Sequence, residues 1–124
     1  MDLVVEVDNE PGALARVTRA ISDAGVNIAA ATCLGTNGQA ELHILVPHAA
    51  PVHHALAITS QAVAREREVV VVQVDDQPGI LADLARTVAD AGVNLDLVYV
   101  ATRNRVVFGS PDLGGLRQAL GQTS

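Results

Sequence analysis

The feature that most constrains this chain is an internal repeat. When the sequence of 124 residues is aligned with itself at an offset of 67, Val4 falls on Val71 and Asn27 falls on Asn94. About half of the positions from Val4 to Ile28 are identical in the two copies. Two copies are too few for a solenoid, so the repeat predicts two small domains in tandem, residues 1–67 and residues 68–124. Because domains of about 60 residues are only marginally stable alone, we expect each to pack on the other or on a second chain.

The two copies begin with a predicted strand. In the first copy, Leu3, Val5 and Val7 occur at every second position, which predicts a strand with one buried face. The matching run in the second copy, residues 69–72, consists of valine only, as in a central strand. Both strands lead into a Pro-Gly pair, which is typical of a turn.

Apolar residues recur at helical spacing after each Pro-Gly pair. We expect Asp8 or Asn9 to cap the first helix, because short polar side chains accept hydrogen bonds from free backbone N–H groups. Gly25 and Gly92 occupy the positions where a helix often ends in a left-handed residue. A hairpin and a second helix then follow in each copy. The predicted strands are 27–34, 39–46, 95–102 and 105–108, with an Asn-Gly turn at 37–38, and the second helices cover 51–63 and 112–120.

A ferredoxin-like unit of this kind needs a fourth strand to complete its sheet. Residues 65–68 lead directly into the valine run, so one long strand could end the first copy and begin the second. After the last predicted helix, residues 121–124 offer no such strand. We therefore expect an open sheet edge in the second copy, covered by the partner copy or by a second chain.

The composition argues against nucleic acids and membranes as partners. The net charge is −6, and the eight cationic residues, all of them Arg, form no basic run that could release counterions. Tyr99 and Phe108 are the only aromatic residues, which are too few for base stacking. No apolar run reaches the ~18 residues of a membrane helix, and no signal peptide is recognisable at the first residues. With Cys33 as the only cysteine, no intrachain disulfide is possible, and we expect a cytoplasmic protein.

Both repeated segments resemble the ACT domain family. The resemblance rests on a strand, the motif D-x-x-P-G-x-L, a helix of about a dozen residues and then D-A-G-V-N before the next strand, and it covers nearly the whole chain. It implies an α+β fold of tandem ferredoxin-like βαββα(β) units, with antiparallel sheets and helices on one face. It also implies a homodimeric, non-catalytic regulatory protein that binds an amino acid or a similar small metabolite and needs no cofactor. An unidentified enzyme or regulator would respond to that ligand.

The resemblance also implies where the ligand binds. In this family the ligand lies between the first strand–helix loop of one copy and the start of the second strand of its neighbour. Asn9 and Asn27 match the asparagines of serine-sensing members, but Val7 stands where those members have His, so the amino acid is left open. Carried over by position, the ligand-binding residues are Asn9, Glu10, Gly12, Ala13, Leu14, Asn27 and Ile28 in the first copy, and Asp76, Gln77, Gly79, Ile80, Leu81, Asn94 and Leu95 in the second.

The residue types at these positions suit a zwitterion. A helix that begins after Pro-Gly presents free N–H groups and partial positive charge, which favour a carboxylate. Gly12 and Gly79 lack a Cβ and allow a ligand to approach the backbone closely. Asn9 can donate and accept hydrogen bonds, whereas Asp76 accepts only and would select an ammonium group. The two copies are therefore expected to differ in affinity or in the ligand that they hold.

Other interpretations of these residues stay open. Asn, Asp, Pro and Gly are common in any strand-to-helix turn and could serve the fold alone. Ala29, Ala31 and Cys33 make one strand face apolar, which also suits a ligand-free interaction and dimerisation module, or a detached regulatory subunit of a metabolic enzyme. No pairing of nucleophile and base indicates an enzyme. His53 and His54 are adjacent and cannot face one ion, so no metal site is predicted; Cys33 is predicted to be a small buried side chain.

Two further charged features have simple interpretations. Arg19 precedes Asp23 by four residues on the first helix, and Arg86 precedes Asp90 in the same way, which predicts two ion pairs. Arg103 and Arg105 flank the second hairpin turn, and their predicted role is to keep a sheet edge soluble.

Overall fold

Each copy of the repeat forms an antiparallel sheet with helices against one face, which confirms the predicted α+β class. The computed structural model describes residues 1–36, 38–59 and 61–121. The chain divides into two compact units, unit 1 (Met1–Arg67) and unit 2 (Glu68–Ser124). No described helix is long and apolar enough to cross a membrane.

Unit 1 contains a four-stranded sheet in the order β2-β3-β1-β4. Its elements are β1 (Asp2–Asp8), α1 (Ala13–Asp23), β2 (Ala30–Thr36), β3 (Gln39–Leu45), α2 (Ala50–Ile58) and β4 (Val63–Arg67). Alternate residues of β1 and β3 meet the apolar stripes of both helices, as the two periodicities require. The resulting core contains Leu3, Val5, Val7, Val17, Ile21, Ala40, Leu42, Ile44, Val52 and Leu56.

The strand β1 does not have the single buried face that its sequence predicts. Val4, on the face opposite the core, is also buried. β1 is an inner strand that pairs with β3 on one side and with β4 on the other. Inner strands are often apolar on both faces, so the prediction was wrong because it treated β1 as half-exposed.

Unit 2 contains three described strands in the order β5-β7-β6. Its elements are β5 (Val70–Gln73), α3 (Ile80–Asp90), β6 (Leu97–Ala101), β7 (Arg105–Gly109) and α4 (Leu113–Ala119). The core combines one face of the sheet with both helices, and its members are Val70, Val88, Val93, Val106, Phe108 and Leu116. The sequence predicts no fourth strand after the last helix of this copy, at residues 121–124. Of these, residues 122–124 lie outside the described residues.

The segment between the units forms two strands and not the one long strand that the sequence predicts. β4 pairs with β1, whereas β5 pairs with β7. Glu68 and Val69 lie between them and belong to neither ladder. The predicted long strand is therefore interrupted at these two residues, between the ladder of one sheet and the ladder of the other.

The starts of α1 and α3 differ from the predicted arrangement. Gly12 is the N-cap residue of α1, with φ 88°, and no side chain caps the helix. The Asp8 carboxylate instead accepts a hydrogen bond from Gln39 Nε2 at 3.0 Å. The prediction that Asp8 or Asn9 caps α1 was therefore wrong, because the left-handed glycine moves the helix start beyond the reach of both. The predicted left-handed ends at Gly25 and Gly92 are confirmed, with φ 77° and 75°.

Among the other boundaries, two are displaced by three residues or more, and the predicted strand 95–102 is shortened to β6 (Leu97–Ala101). The helix α2 ends at Ile58 rather than near residue 63, because the Thr59 hydroxyl and the backbone N–H of Gln61 both donate to the Leu56 carbonyl and close the helix. The strand β2 starts at Ala30 rather than at Asn27. The predicted segment 27–29 is thus a connection, and only its last residue bonds to β3, through Ala29 N–H and Leu45 O at 3.0 Å.

The edge strands β2 and β6 expose apolar side chains. Cys33 pairs with the core residue Leu42 and shares its face, yet it is exposed, so its predicted burial was wrong. Because β2 is at the sheet edge, the helices do not cover it. On β6, Val98 and Val100 are 40% and 68% exposed although they pair with the buried Phe108 and Val106.

Replacing Gly114 with alanine is expected to stabilise unit 2 by about 0.5–1 kcal/mol, because the chain loses less conformational entropy and alanine favours helices. Nothing lies within 4 Å of the position that a Cβ on Gly114 would take. At Gly115 the carboxylate of Asp112 occupies that position and accepts the Gly115 N–H at 3.0 Å. Gly115→Ala should therefore displace the cap and lose stability. Urea unfolding of the two variants measures the difference, and equal effects would contradict this account of α4.

Candidate functional site

The β1–α1 loop, residues 9–12, forms one half of the predicted site in unit 1. Its backbone is attached to the β2–β3 hairpin, because Asn9 N–H donates to the Gly38 carbonyl at 2.8 Å. The Asn9 side chain lies over β2, with its amide atoms 2.9 Å from the position that a Cβ on Gly35 would take. Glu10 forms an exposed ion pair with Arg16 at 3.4 Å. The loop is therefore closed against its own hairpin on one side and open to solvent at Glu10.

The first turns of α1 and α3 carry backbone N–H groups that have no acceptor within the described residues. In α1 these are the N–H groups of Leu14 and Ala15, and in α3 those of Leu81 and Ala82; the N–H groups on either side of each pair donate to loop carbonyls. Gly12 and Gly79, with φ 88° and 87°, precede the two helices. Nothing lies within 4 Å of the position that a Cβ on Gly79 would take, whereas Arg16 Nη1 lies 3.5 Å from that position at Gly12. Both helix starts can therefore donate to an anionic group.

The other half of the predicted site, Asn27–Ile28, lies in the connection between α1 and β2. Ile28 packs partly against the core, while the Asn27 side chain is exposed and forms no hydrogen bond within the described residues. Both border an open groove of about 740 Å³ along the outer side of α1. Its other lining residues are Ala15, Arg16, Thr18, Arg19, Ser22 and Val26.

The two halves of the predicted site lie at opposite ends of the same unit. At the loop end of the sheet, Asp8 pairs with Gln39. At the other end, Ala30 pairs with Leu45, and Asn27–Ile28 comes just before it. With its 11 residues, α1 spans about 16 Å between the two ends. A single unit therefore cannot bring its own loop and its own Asn27 to one small ligand.

Unit 2 repeats this arrangement. Gln73 pairs with Arg105 at the end that carries the β5–α3 loop, residues 74–79, whereas Leu97 pairs with Gly109 at the end that carries Asn94. Leu95 packs against the core of unit 2, and Asn94 is exposed. Of the ligand-binding residues predicted here, Asp76, Gln77 and Gly79 are exposed, Ile80 is half-buried and Leu81 is 43% exposed.

A pocket of about 290 Å³ lies between the β5–α3 loop and the β6–β7 hairpin; we call it the unit 2 pocket. Asp76, Asn104 and Arg105 are its polar or charged lining residues. Within the described part of the chain, Asp76 forms no ion pair and no side-chain hydrogen bond. The remaining lining residues are Val74, Ile80, Leu81, Val100, Ala101 and Val106.

The sequence analysis missed the hairpin side of this pocket. Arg105 was predicted only to keep an edge soluble, but it is half-buried and donates from Nε and Nη2 to Thr102 O and Oγ1, at 2.8 and 3.0 Å. Asn104 is left-handed, with φ 55°, and its carbonyl accepts the Val74 N–H at 2.8 Å. The sequence did contain a signal for this side of the pocket. Antiparallel pairing of the first and third strands of the copy places the hairpin turn at the same end of the sheet as the strand–helix loop.

The pKa values of Glu41 and Arg65 are shifted by their contact with each other on the sheet of unit 1. Arg65 donates to Glu41 at 2.7 Å, and this bond with the mutual attraction holds the pKa of Glu41 below its ordinary value and raises the pKa of Arg65. Because the folded-state pKa of Glu41 is lowered, the stability that the pair adds is present at neutral pH and lost as the pH falls through that pKa. Both side chains are exposed, so the contribution is small.

His43, His53 and the helix-surface arginines have local partners. His43 Nδ1 lies 3.0 Å from the Asp2 carboxylate, and His53 Nε2 lies 2.7 Å from that of Glu66. Across the described ranges, no group of three or more His, Cys, Asp or Glu side chains could hold a metal ion. The predicted pairs Arg19–Asp23 and Arg86–Asp90 are confirmed, at 3.5 and 3.9 Å.

Comparisons with known proteins agree with this architecture. A protein from Bacteroides thetaiotaomicron matches with a TM-score of 0.86 at 23% identity, over 97% of this chain and 85% of that chain. The ligand-free regulatory subunit of aspartate kinase from Thermus thermophilus matches with a TM-score of 0.72 at 15% identity, over 97% of this chain and 89% of that one. The corresponding subunit from Thermus flavus gives 0.61 at 14% identity, over 97% and 90%. No curated protein sequence matches the chain.

At these identities the structural matches establish the fold, and the sequence match establishes the family. The ACT domain profile matches residues 1–58 and again residues 69–119, which together are most of the chain. The two matches fall on the two copies of the repeat, with the Pro-Gly loops and the Gly-Val-Asn segments inside them. The chain therefore belongs to the ACT domain family and carries two copies of the domain in tandem.

Proposed function

We propose that this protein is a non-catalytic regulatory protein that binds an amino acid, or a similar small metabolite, between ACT copies in a homodimer. The observation that carries the proposal is the position of the two half-sites. The β1–α1 loop and Asn27 lie at opposite ends of unit 1, so a ligand that needs both must lie between two copies. A second chain supplies further copies of the domain. Each copy offers the loop half-site at one end and the asparagine half-site at the other, so a protein built from repeated copies can pair them, which would explain the repeat.

In unit 1 the two half-sites offer complementary groups. The N–H groups of Leu14 and Ala15 suit the ligand carboxylate, and Gly12 leaves room for it to approach the helix start. Asn27 can donate to the carboxylate or accept from the ammonium group, since an amide does both. Asn9, Glu10, Ala13 and Ile28 would form the rest of the contact surface around these groups.

The half-sites of unit 2 follow the same plan with different charges. Asp76 replaces Asn9 and can attract an ammonium group, whereas it would repel a carboxylate. The helix start at Gly79, Ile80 and Leu81 offers the same free N–H groups as its counterpart. With Gln77, Asn94 and Leu95 at the remaining positions, the two kinds of site are expected to differ in affinity.

Regulation then follows from linkage. A ligand that spans two copies favours the packing in which both half-sites meet, and it shifts the equilibrium only by its difference in affinity for the two packings. A partner enzyme or regulator would respond to the favoured packing. A cytoplasmic location, where free amino acids are available, fits this role.

A second candidate is a ligand-free interaction module or a detached regulatory subunit of a metabolic enzyme. Two observations favour it. The strands β2 and β6 expose Cys33, Val98 and Val100 at their sheet edges, where another protein could pack. This chain also covers 89% of the aspartate kinase regulatory subunit of Thermus thermophilus, so the two are of similar size.

Thermal unfolding against the twenty amino acids tests the proposal. A ligand at about 100 times its dissociation constant stabilises the folded state by about 2.7 kcal/mol, which shifts the midpoint by several degrees. The double variant Asn27→Ala with Asn94→Ala is expected to reduce that shift strongly, because both facing amides are removed. Gln118→Ala, which changes an exposed amide on α4 outside the predicted site, serves as the matched control.

The two candidates predict different results in this experiment. A shift with one chemical class of amino acid, lost in the double variant and kept in the control, supports ligand binding between copies. No shift with any of the twenty argues for the second candidate, in which the double variant behaves as the parent protein. A shift that the double variant keeps in full contradicts the assignment of Asn27 and Asn94.

A further inference from the structure

We propose that two copies of this chain associate through the edge strand β6 of unit 2, by antiparallel pairing of β6 with the same strand of the second copy. The inference rests on the proposed function in one respect, namely that the protein is a homodimer, and it depends on no ligand. Within the described sheet of unit 2, β6 pairs only with β7 and lies at the edge. An edge strand of this kind can act as a template for another strand.

The other sheet edges are less suited to such pairing. In unit 1, β4 carries Arg65, Glu66 and Arg67, and charged side chains commonly protect edge strands. The opposite edge, β2, is uncharged, but it presents only the small side chains of Ala31 and Cys33 on the face toward the helices. In unit 2, β5 exposes only its last residue. By contrast, β6 has the sequence Leu-Val-Tyr-Val-Ala, with no charge and no proline to prevent pairing.

The exposed valines of β6 fit a second copy of the same strand. Val98 and Val100 are 40% and 68% exposed, and both lie on the face toward the helices. A two-fold axis at Tyr99 places Val98 of one copy opposite Val100 of the other, and this happens twice by symmetry. Cross-strand pairs of β-branched side chains are stabilising, and their contact removes apolar surface from water. This register also keeps the helices of both copies on the same side of the joined sheet.

The charges at the ends of β6 favour the same arrangement. Asp96 directly precedes the strand, and Arg103 lies in the turn that follows it. Within the described ranges, the Arg103 side chain forms no ion pair and no hydrogen bond. Antiparallel pairing brings Asp96 of one copy close to Arg103 of the other at both ends, whereas parallel pairing would bring like charges together. The strand is therefore complementary in charge to a second copy of itself.

Sedimentation velocity of the full chain without ligand tests the proposal. We expect the parent protein to dimerise and Val100→Arg to weaken the dimer by about tenfold or more, because the new charge would lie against Val98 of the second copy. Cys33→Arg is the matched control. At the offset of 67, Cys33 occupies the position on β2 that Val100 occupies on β6, and it is also exposed. The control should leave the dimer unchanged.

Charge reversal at the ends of β6 tests the antiparallel register. Arg103→Asp is expected to weaken the dimer, because Asp96 of the second copy would then meet a like charge. Adding Asp96→Arg to that variant should restore the association, since opposite charges meet again. Unfolding midpoints establish that every variant folds. A double variant that associates no more tightly than Arg103→Asp overturns this register.

The outcomes for this inference and for the proposed function can be told apart. A parent protein that stays monomeric without ligand overturns the inference, and so does a dimer that Cys33→Arg disrupts and Val100→Arg leaves intact. If an amino acid shifts the unfolding midpoint of the parent protein but Val100→Arg leaves the dimer intact, the proposed function stands and this inference fails. If Val100→Arg disrupts the dimer and none of the twenty amino acids binds, the association through β6 is supported and the ligand proposal fails.

Discussion

Replacing Phe108 with alanine is expected to lower the unfolding free energy by about 3–5 kcal/mol, the largest loss that we expect from one side chain in unit 2. Phe108 is fully buried and is the only Phe in the chain. It lies on the inner strand β7, opposite Val70 on β5 and Val98 on β6, and it faces the helices with Leu116. Strands flank Phe108 on both sides, so the neighbouring residues cannot move far into the cavity that the alanine variant leaves. We therefore expect a loss of unfolding free energy toward the upper end of this range.

Urea unfolding followed by far-ultraviolet circular dichroism measures this loss, since the chain has no Trp to report by fluorescence. Ile58→Ala is the matched control: it also removes a large apolar side chain, but Ile58 is 76% exposed at the end of α2. The control should change the unfolding free energy by less than about 0.5 kcal/mol. Similar losses in the two variants would mean that Phe108 is not the centre of the unit 2 core.

The Phe108 variant also bears on function. Strand β7 carries Phe108 in its interior and Arg105 at its first residue, so loosening the strand disturbs the hairpin side of the unit 2 pocket. If the half-sites of unit 2 bind the proposed ligand, that binding should fall with the stability of unit 2. A site built only from the β1–α1 loop of unit 1 and Asn27 of another copy should be less affected.

The sequence predicted the features that depend on short-range patterns. Apolar residues at every second position predicted β3, and Ala40, Leu42, Ile44 and Val46, which share one face of the predicted strand 39–46, are all buried. Gly25 and Gly92 marked the helix ends because few other residues adopt positive φ easily. The second hairpin turn lies where the predicted strands 95–102 and 105–108 left room for it, and Arg103 and Asn104 in that turn have positive φ.

The features that the sequence did not predict depend on contacts between distant segments. Asp8 was expected to cap α1, but a side chain 31 residues away, Gln39, competes for its carboxylate. Cys33 looked like a buried residue because nothing in the strand itself reveals that β2 is at the sheet edge. Arg105 was not connected with the loop of Asp76, because only the antiparallel pairing of β5 with β7 brings the two to one sheet end. The loop motif is readable from the sequence, whereas the residues that lie beside the loop depend on topology.

Replacing Gly79 with valine is expected to destabilise unit 2 by about 1–3 kcal/mol through backbone strain alone. Gly79 has φ 87° at the start of α3, a conformation that β-branched residues rarely adopt. Nothing lies within 4 Å of the position of an added Cβ, so the Cβ itself collides with no neighbouring residue. The loss should therefore depend on the backbone preference of the new residue and not on its size.

A graded series separates strain from crowding. Asparagine tolerates positive φ best of the three, so Gly79→Asn should cost least, Gly79→Ala more and Gly79→Val most, each measured by urea unfolding. If crowding decided the outcome, alanine would be milder than the larger asparagine, and that order would contradict the strain argument. Gly114→Ala provides the control for the glycine-to-alanine change, because it is expected to stabilise the same unit. If Gly→Ala lowers the unfolding free energy at Gly79 and raises it at Gly114, the start of α3 requires glycine for its left-handed backbone. That backbone is the one that keeps the free N–H groups of Leu81 and Ala82 accessible.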